Sequence, residues 1–216
     1  MRASPKNTCY FFLGGGKKSG CRCILEIFKW SHRPVMLVFP WVENNLIHRI
    51  EEGKFTIGDK AYQVTTNAGK HHIHGGKNNF TYQNWNGETF RTDDAVGVRL
   101  QLTSPDGQEG YPGTVQATAE YSWNDKNELR IAYKATTDAP THVNLTNHSY
   151  WNLAGAGSGS AMDHVATIEA DQYLDVDDDL IPTGKLNSVE GTVLDFRSGT
   201  ALGDRIEQLS ATKGYD

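Results

Sequence analysis

The chain has 216 residues and a formal net charge of −5, with 38% hydrophobic, 10% aromatic and 22% charged residues, which is the composition of a folded chain rather than a disordered one. The acidic balance disfavours a general nucleic-acid binder, which normally carries a basic excess. Cys9, Cys21 and Cys23 are odd in number and confined to one end, so they form no disulfide framework, and no stretch reaches the roughly 18 apolar residues of a membrane span.

Residues 1–40 read as an atypical leader. The apolar patch Tyr10 to Leu13 is shorter than a signal peptide requires, and Lys17 and Lys18 follow it. Gly14-Gly15-Gly16-Lys17-Lys18-Ser19 lacks the spacing of a phosphate-binding loop. Without a readable signal peptide the expected location is cytoplasmic, and thiols near the start agree with a reducing compartment. Residues 41–216 are the expected domain.

From Arg49 onward the pattern is β. Lys54-Phe55-Thr56-Ile57 runs into Gly58-Asp59 and then Ala61-Tyr62-Gln63-Val64, which predicts a hairpin. Val96, Val98, Leu100 and Leu102 alternate and predict a strand with one apolar face. Val115 to Tyr121 alternates again, Asn124 to Asn127 is a polar turn, and Leu129 to Tyr133 is the next strand. Val143 to Thr146 and Val165 to Ile168 continue the series, and Ala201 to Leu209 is the best short helix candidate. Short strands with turns between them imply an all-β sandwich or barrel.

Eight histidines are present, three of them in His71-His72-Ile73-His74, followed by Gly75-Gly76. Strand alternation would put His72 and His74 on one face. A His-x-His pair can begin a metal site, but Glu88 is the first acid downstream, so the carboxylate a cupin-like site needs close by is missing. The other reading is surface histidines on a loop. In Asn144-Leu145-Thr146-Asn147-His148-Ser149-Tyr150-Trp151-Asn152 amides and an imidazole alternate with aromatic faces. Such a mixture suits a sugar pocket, where ring faces stack on C–H groups and polar tips pair with hydroxyls; a core strand with an incidental histidine reads equally well. The run Asp175 to Asp179 has Leu180 and Leu186 where a calcium loop needs Gly and Glu, so it reads as a solvated acidic loop with Ile181 to Gly184 as the turn after it.

From Arg49 to Asp216 the chain resembles the galactose mutarotase, or aldose 1-epimerase, family. The matching segments are His48-Arg49-Ile50 with Gly53-Lys54-Phe55, His74-Gly75-Gly76, Ser104 to Gly113, Pro140 to Gly155, Asp163-His164, Tyr173-Leu174, Leu180 to Gly184 and Lys213 to Asp216, in the family's order. The resemblance implies an all-β fold, a β-supersandwich of the galactose mutarotase type. It implies an isomerase that interconverts the α and β anomers of free hexoses such as D-galactose and D-glucose, without metal or organic cofactor. The partner is then a small hexose, with no nucleic acid and no membrane. His148 resembles the family's general acid and His74 the second histidine at the ring oxygen. Arg49, Tyr150 and Asp216 resemble substrate-contacting residues. The family continues past the position of Asp216, through the segment that holds its general-base glutamate. No carboxylate of this chain matches that motif, so an incomplete sandwich is expected and no base is assigned. The alternative function is a catalytically inactive sugar-binding fragment.

Overall fold

Period-two alternation dictates the longest strands. The computed structural model describes residues 8–11, 42–43, 49–155 and 157–208, in two compact units, one reaching residue 149 and the other beginning at 150. The leader apart from 8–11, and Asp216 with its neighbours, lie outside the described residues.

The first unit holds β1 (Thr8–Phe11), β2 (Val42–Glu43), β3 (Lys54–Ile57), β4 (Lys60–Gln63), β5 (Asn86–Arg91), β6 (Ala95–Ser104), β7 (Val115–Asn124), β8 (Leu129–Thr137) and β9 (Thr146–Asn147). One antiparallel sheet has the order β1-β8-β7-β6-β5. The predicted hairpin is β3–β4, paired Ile57↔Lys60, with Gly58 at φ +59 making the turn.

Register explains the core. Leu100 lies opposite Ala119 and Leu102 opposite Ala117. The small residues leave room above the sheet, which Phe80, Trp85 and Leu145 fill. Phe80 is 1% exposed, and its carbonyl accepts from Trp85 Nε1 at 2.9 Å. The alternate residues face the other way. Arg99 donates to Glu120 at 2.9 Å and to Glu88 at 2.9 Å, a charge ladder across β5, β6 and β7 that water screens. A smaller core gathers Ile50, Val64 and Tyr111 with Phe55.

The second unit holds β10 (Val165–Ala166), β11 (Gln172–Val176), β12 (Pro182–Ser188), β13 (Thr200–Ala201) and one helical turn, Gly203–Ile206. Here local patterning and structure part company. The strand expected at 165–168 stops at Ala166, because Ile168 donates its N–H to Phe196 instead. The expected 143–146 strand is reduced to β9, and Val143 is 38% exposed. The turn expected at Ile181 to Gly184 sits earlier. Asp177 accepts from the backbone of Asp179 and Ile181, both at 2.9 Å, with Leu180 at φ +61, and Pro182 already begins β12. The helix expected over Ala201 to Leu209 is a single α turn, Gly203–Ile206, and Leu209 lies outside the described residues.

Candidate active site

The first unit brings together the two predicted catalytic histidines, 74 positions apart in the chain. The rings of His74 and His148 meet edge to face, with centroids 5.6 Å apart and planes at 84°. Each sits on backbone held from both sides.

His74 occupies the tip of a tight turn. Gly76 N–H donates to the Ile73 carbonyl at 3.1 Å, with His74 at φ +53 and Gly75 at φ +73 between them. Positive φ at both central residues marks a turn of the I′ kind, which explains Gly75. Before the turn, Ile73 exchanges two bonds with the Asn67 amide: Ile73 N–H to Oδ1 at 2.8 Å and Asn67 Nδ2 to the Ile73 carbonyl at 2.9 Å. His148 follows β9, whose residues pair with β2 in the register Val42↔Asn147 and Glu43↔Thr146. Asn147 Oδ1 then accepts from Ser149 N–H at 3.0 Å, so the backbone is fixed on both sides of the histidine.

His72 has a different task from His74. Its backbone bridges Ile50, with N–H to carbonyl distances of 2.9 and 3.1 Å. Its side chain is fully buried, not on a surface loop. Nδ1 donates to the Thr65 carbonyl at 2.5 Å, and Tyr111 Oη donates to Nε2 at 2.7 Å, a tautomer assigned from these partners. Both ring nitrogens are thereby committed. His71 is buried as well, and its Nδ1 accepts from Glu52 N–H at 3.1 Å. The shared face expected for His72 and His74 does not form, because the left-handed backbone at His74 breaks the alternation. Among the described residues no three His, Cys, Asp or Glu side chains cluster as a metal site would require.

Burial holds His72 below the ordinary histidine pKa, with the His74 charge acting in the same direction and the Thr65 bond and Glu109 opposing. Burial, and then the Glu109 charge, push the Tyr111 phenol up, so it remains a neutral donor. The unfolded chain therefore binds a proton near pH 6.5 that the folded chain refuses until lower pH. Stability from this residue is complete above that pH and is lost as pH falls toward the folded-state value. Urea midpoints at about pH 7.5 and about pH 5.5 should show the fall. His72→Gln should be less stable at the higher pH and lose less between the two; an equal loss in both proteins would contradict this source.

The remaining candidates divide. The Ile50↔His72 bridge places Arg49, half-buried, alongside Ile73, one residue from His74. Tyr150 opens the second unit and is 74% exposed. Asp216 lies outside the described residues. Sequence reasoning missed His164 as a brace. In the second unit its Nε2 accepts from Leu153 N–H at 2.8 Å, while Asn152 Nδ2 donates to the Gly159 carbonyl at 3.0 Å. Together they staple the loop that follows Trp151.

A family model described as aldose 1-epimerase matches residues 41–216. The chain is 43% identical over 178 residues to galactose mutarotase of Mus musculus, covering 82% of this chain and 50% of that one. It is 36% identical over 172 residues to aldose 1-epimerase of Escherichia coli (strain K12), covering 78% and 49%. Among solved structures, galactose 1-epimerase from Lactobacillus acidophilus NCFM matches with a TM-score of 0.74 at 29% identity, over 85% of this chain and 55% of that one. The chain spans about half the length of the curated relatives it matches. Its fold class is the one the resemblance implied, all-β of the galactose mutarotase supersandwich type. Among the described residues no helix is long and apolar enough to cross a membrane. This chain belongs to the aldose 1-epimerase family.

Proposed function

We propose that the His74–His148 pair is the ring-oxygen end of a hexose mutarotase site. The observation that carries the reading is the edge-to-face contact of two imidazoles drawn from distant segments, each on a separately braced backbone. Family membership supports it, and so does the position of Arg49 beside the same loop.

Mutarotation opens a pyranose at the anomeric carbon. His148, as general acid, gives a proton to the ring oxygen while solvent water, in the absence of an assigned carboxylate base, takes the proton of the anomeric hydroxyl. The bond between anomeric carbon and ring oxygen breaks with its electrons going to oxygen, leaving the open aldehyde. Rotation about the next carbon–carbon bond presents the other face, and the same steps in reverse close the ring. His74 hydrogen-bonds the ring oxygen and keeps it beside His148. Arg49 donates to sugar hydroxyls; a guanidinium, always charged, suits that contact at any working pH. The substrates are free aldohexoses such as D-galactose and D-glucose.

Titration with D-galactose, followed through the imidazole carbon-bound protons by NMR, tests the site. The signals of His74 and His148 should shift and saturate while those of buried His72 stay still. Signals of both pair members that ignore the sugar would sink the proposal. Binding without any rate enhancement would keep the site and reduce the chain to a sugar-binding module. Arg49→Ala should raise KM by roughly tenfold with kcat little changed, the pattern of lost uniform binding. An unchanged KM would remove Arg49 from the contact set.

A further inference from the structure

The mutarotase reading uses neither Glu109 nor its unusual backbone, and both are aimed at the loop that carries His74. Glu109 lies at φ +55 in a short turn that also holds Gly107 at φ +82 and Gly110 at φ +96, three left-handed residues among four. A non-glycine residue there is uncommon and needs a reason. Two glycines in the surroundings give the chain its close approach. A Cβ on Gly110 would come within 2.2 Å of the Gln63 carbonyl oxygen. A Cβ on Gly76 would come within 2.1 Å of the Glu109 carboxylate. The carboxylate is thus seated directly against Gly76.

What it does there is visible in its partners. Oε1 accepts from Asn78 N–H at 2.8 Å, and Oε2 accepts from Lys77 N–H at 3.2 Å. Oε2 also accepts from the Thr65 hydroxyl, and the Glu109 carbonyl accepts from Thr65 N–H at 2.9 Å. The neighbouring Gln108 adds Nε2 to the Asn78 carbonyl at 3.0 Å.

The His74 turn is therefore an arch with two feet. Asn67 pins the first foot at Ile73. Glu109 pins the second at Lys77 and Asn78, and through Thr65 it ties the arch to the segment whose carbonyl holds His72. We infer that Glu109 is a positioning residue for His74: its carboxylate fixes the far foot of the turn and so holds the His74 ring against His148. The inference rests on the reading of His74 as a ring-oxygen contact for its functional meaning. Its geometric content stands apart from that reading.

Hydrogen bonds to a charged group are among the stronger ones in a protein, and losing the acceptor leaves two loop N–H groups without it. In Glu109→Ala the amides of Lys77 and Asn78 should exchange with solvent about tenfold faster or more. The ring-current shift that His148 imposes on His74, identified by its loss in His148→Ala, should shrink in the same variant. Glu109→Gln keeps one carbonyl acceptor and should restore protection at one of the two amides. It is also the variant to read if Glu109→Ala does not fold. Val98→Ala, in the sheet, is the comparison for simple destabilisation. It should lower the melting temperature without moving the His74 signal.

The experiment uses the full chain without sugar, so it is independent of binding and turnover. Exchange at Lys77 and Asn78 and a His74 signal that all match wild type in a folded Glu109 variant would overturn the inference. A wild-type chain whose His74 and His148 signals ignore D-galactose would overturn the sugar site and leave the Glu109 result to be read by itself.

Discussion

His148→Ala is expected to reduce any mutarotase rate of this chain by roughly 10²–10⁴-fold, to the level of buffer if the starting enhancement is small. Protonation of the ring oxygen is the step that turns an ether oxygen into a leaving group. A group that acts only there lowers kcat and kcat/KM together, whereas KM alone changes when uniform binding is lost. His148 is half-buried and belongs to no core cluster among the described residues, so the substitution should leave the fold intact. The check is a rate assay beside a thermal melt. Lost rate with an unchanged melt supports the acid role, and retained rate overturns it.

Phe80→Ala should be the most damaging change to the fold. The side chain is 1% exposed at the centre of the main core, over Leu102, Val115 and Ala117 and edge-on to Trp85 at 6.0 Å. Truncating a buried aromatic typically costs about 3–5 kcal/mol, which is a large part of a domain's total stability. The short turn Phe80–Tyr82 starts at Asn79, whose side chain accepts from Thr81 N–H at 3.0 Å, so the damage reaches the chain just after the His74 loop. Urea unfolding should show the midpoint falling by that cost divided by the slope, with the slope itself unchanged. A midpoint within error of wild type would mean the core is not where the burial places it.

How much of this was legible in the sequence depends on the range of the interaction. Leu100 and Leu102 alternate with Arg99 and Gln101, and the strand they predict is β6 with the apolar face inward. Gly58-Asp59 between alternating runs predicts the β3–β4 hairpin, and the structure has it. Both are local signals. The burial of His72 is not local, since it depends on Ile50 across the bridge and Tyr111 against the ring. Alternation even misassigned it to the face of His74, because nothing in a period-two count registers a left-handed residue two positions on. Glu109 was invisible for a related reason: a carboxylate in a glycine-rich loop looks solvated until Gly76 is seen to make room for it. The His74–His148 pairing entered through family resemblance, and the ring geometry adds what the motifs could not state, that the two imidazoles touch.

The role proposed for the His74–His148 pair is the opening of hexose rings. The most direct measurement is the optical rotation of freshly dissolved α-D-galactose in the presence of the 216-residue chain, beside buffer and beside His148→Ala. A faster approach to the equilibrium rotation is expected with the chain, and return to the buffer rate with the variant. Folded chain that leaves the buffer rate unchanged would contradict that role.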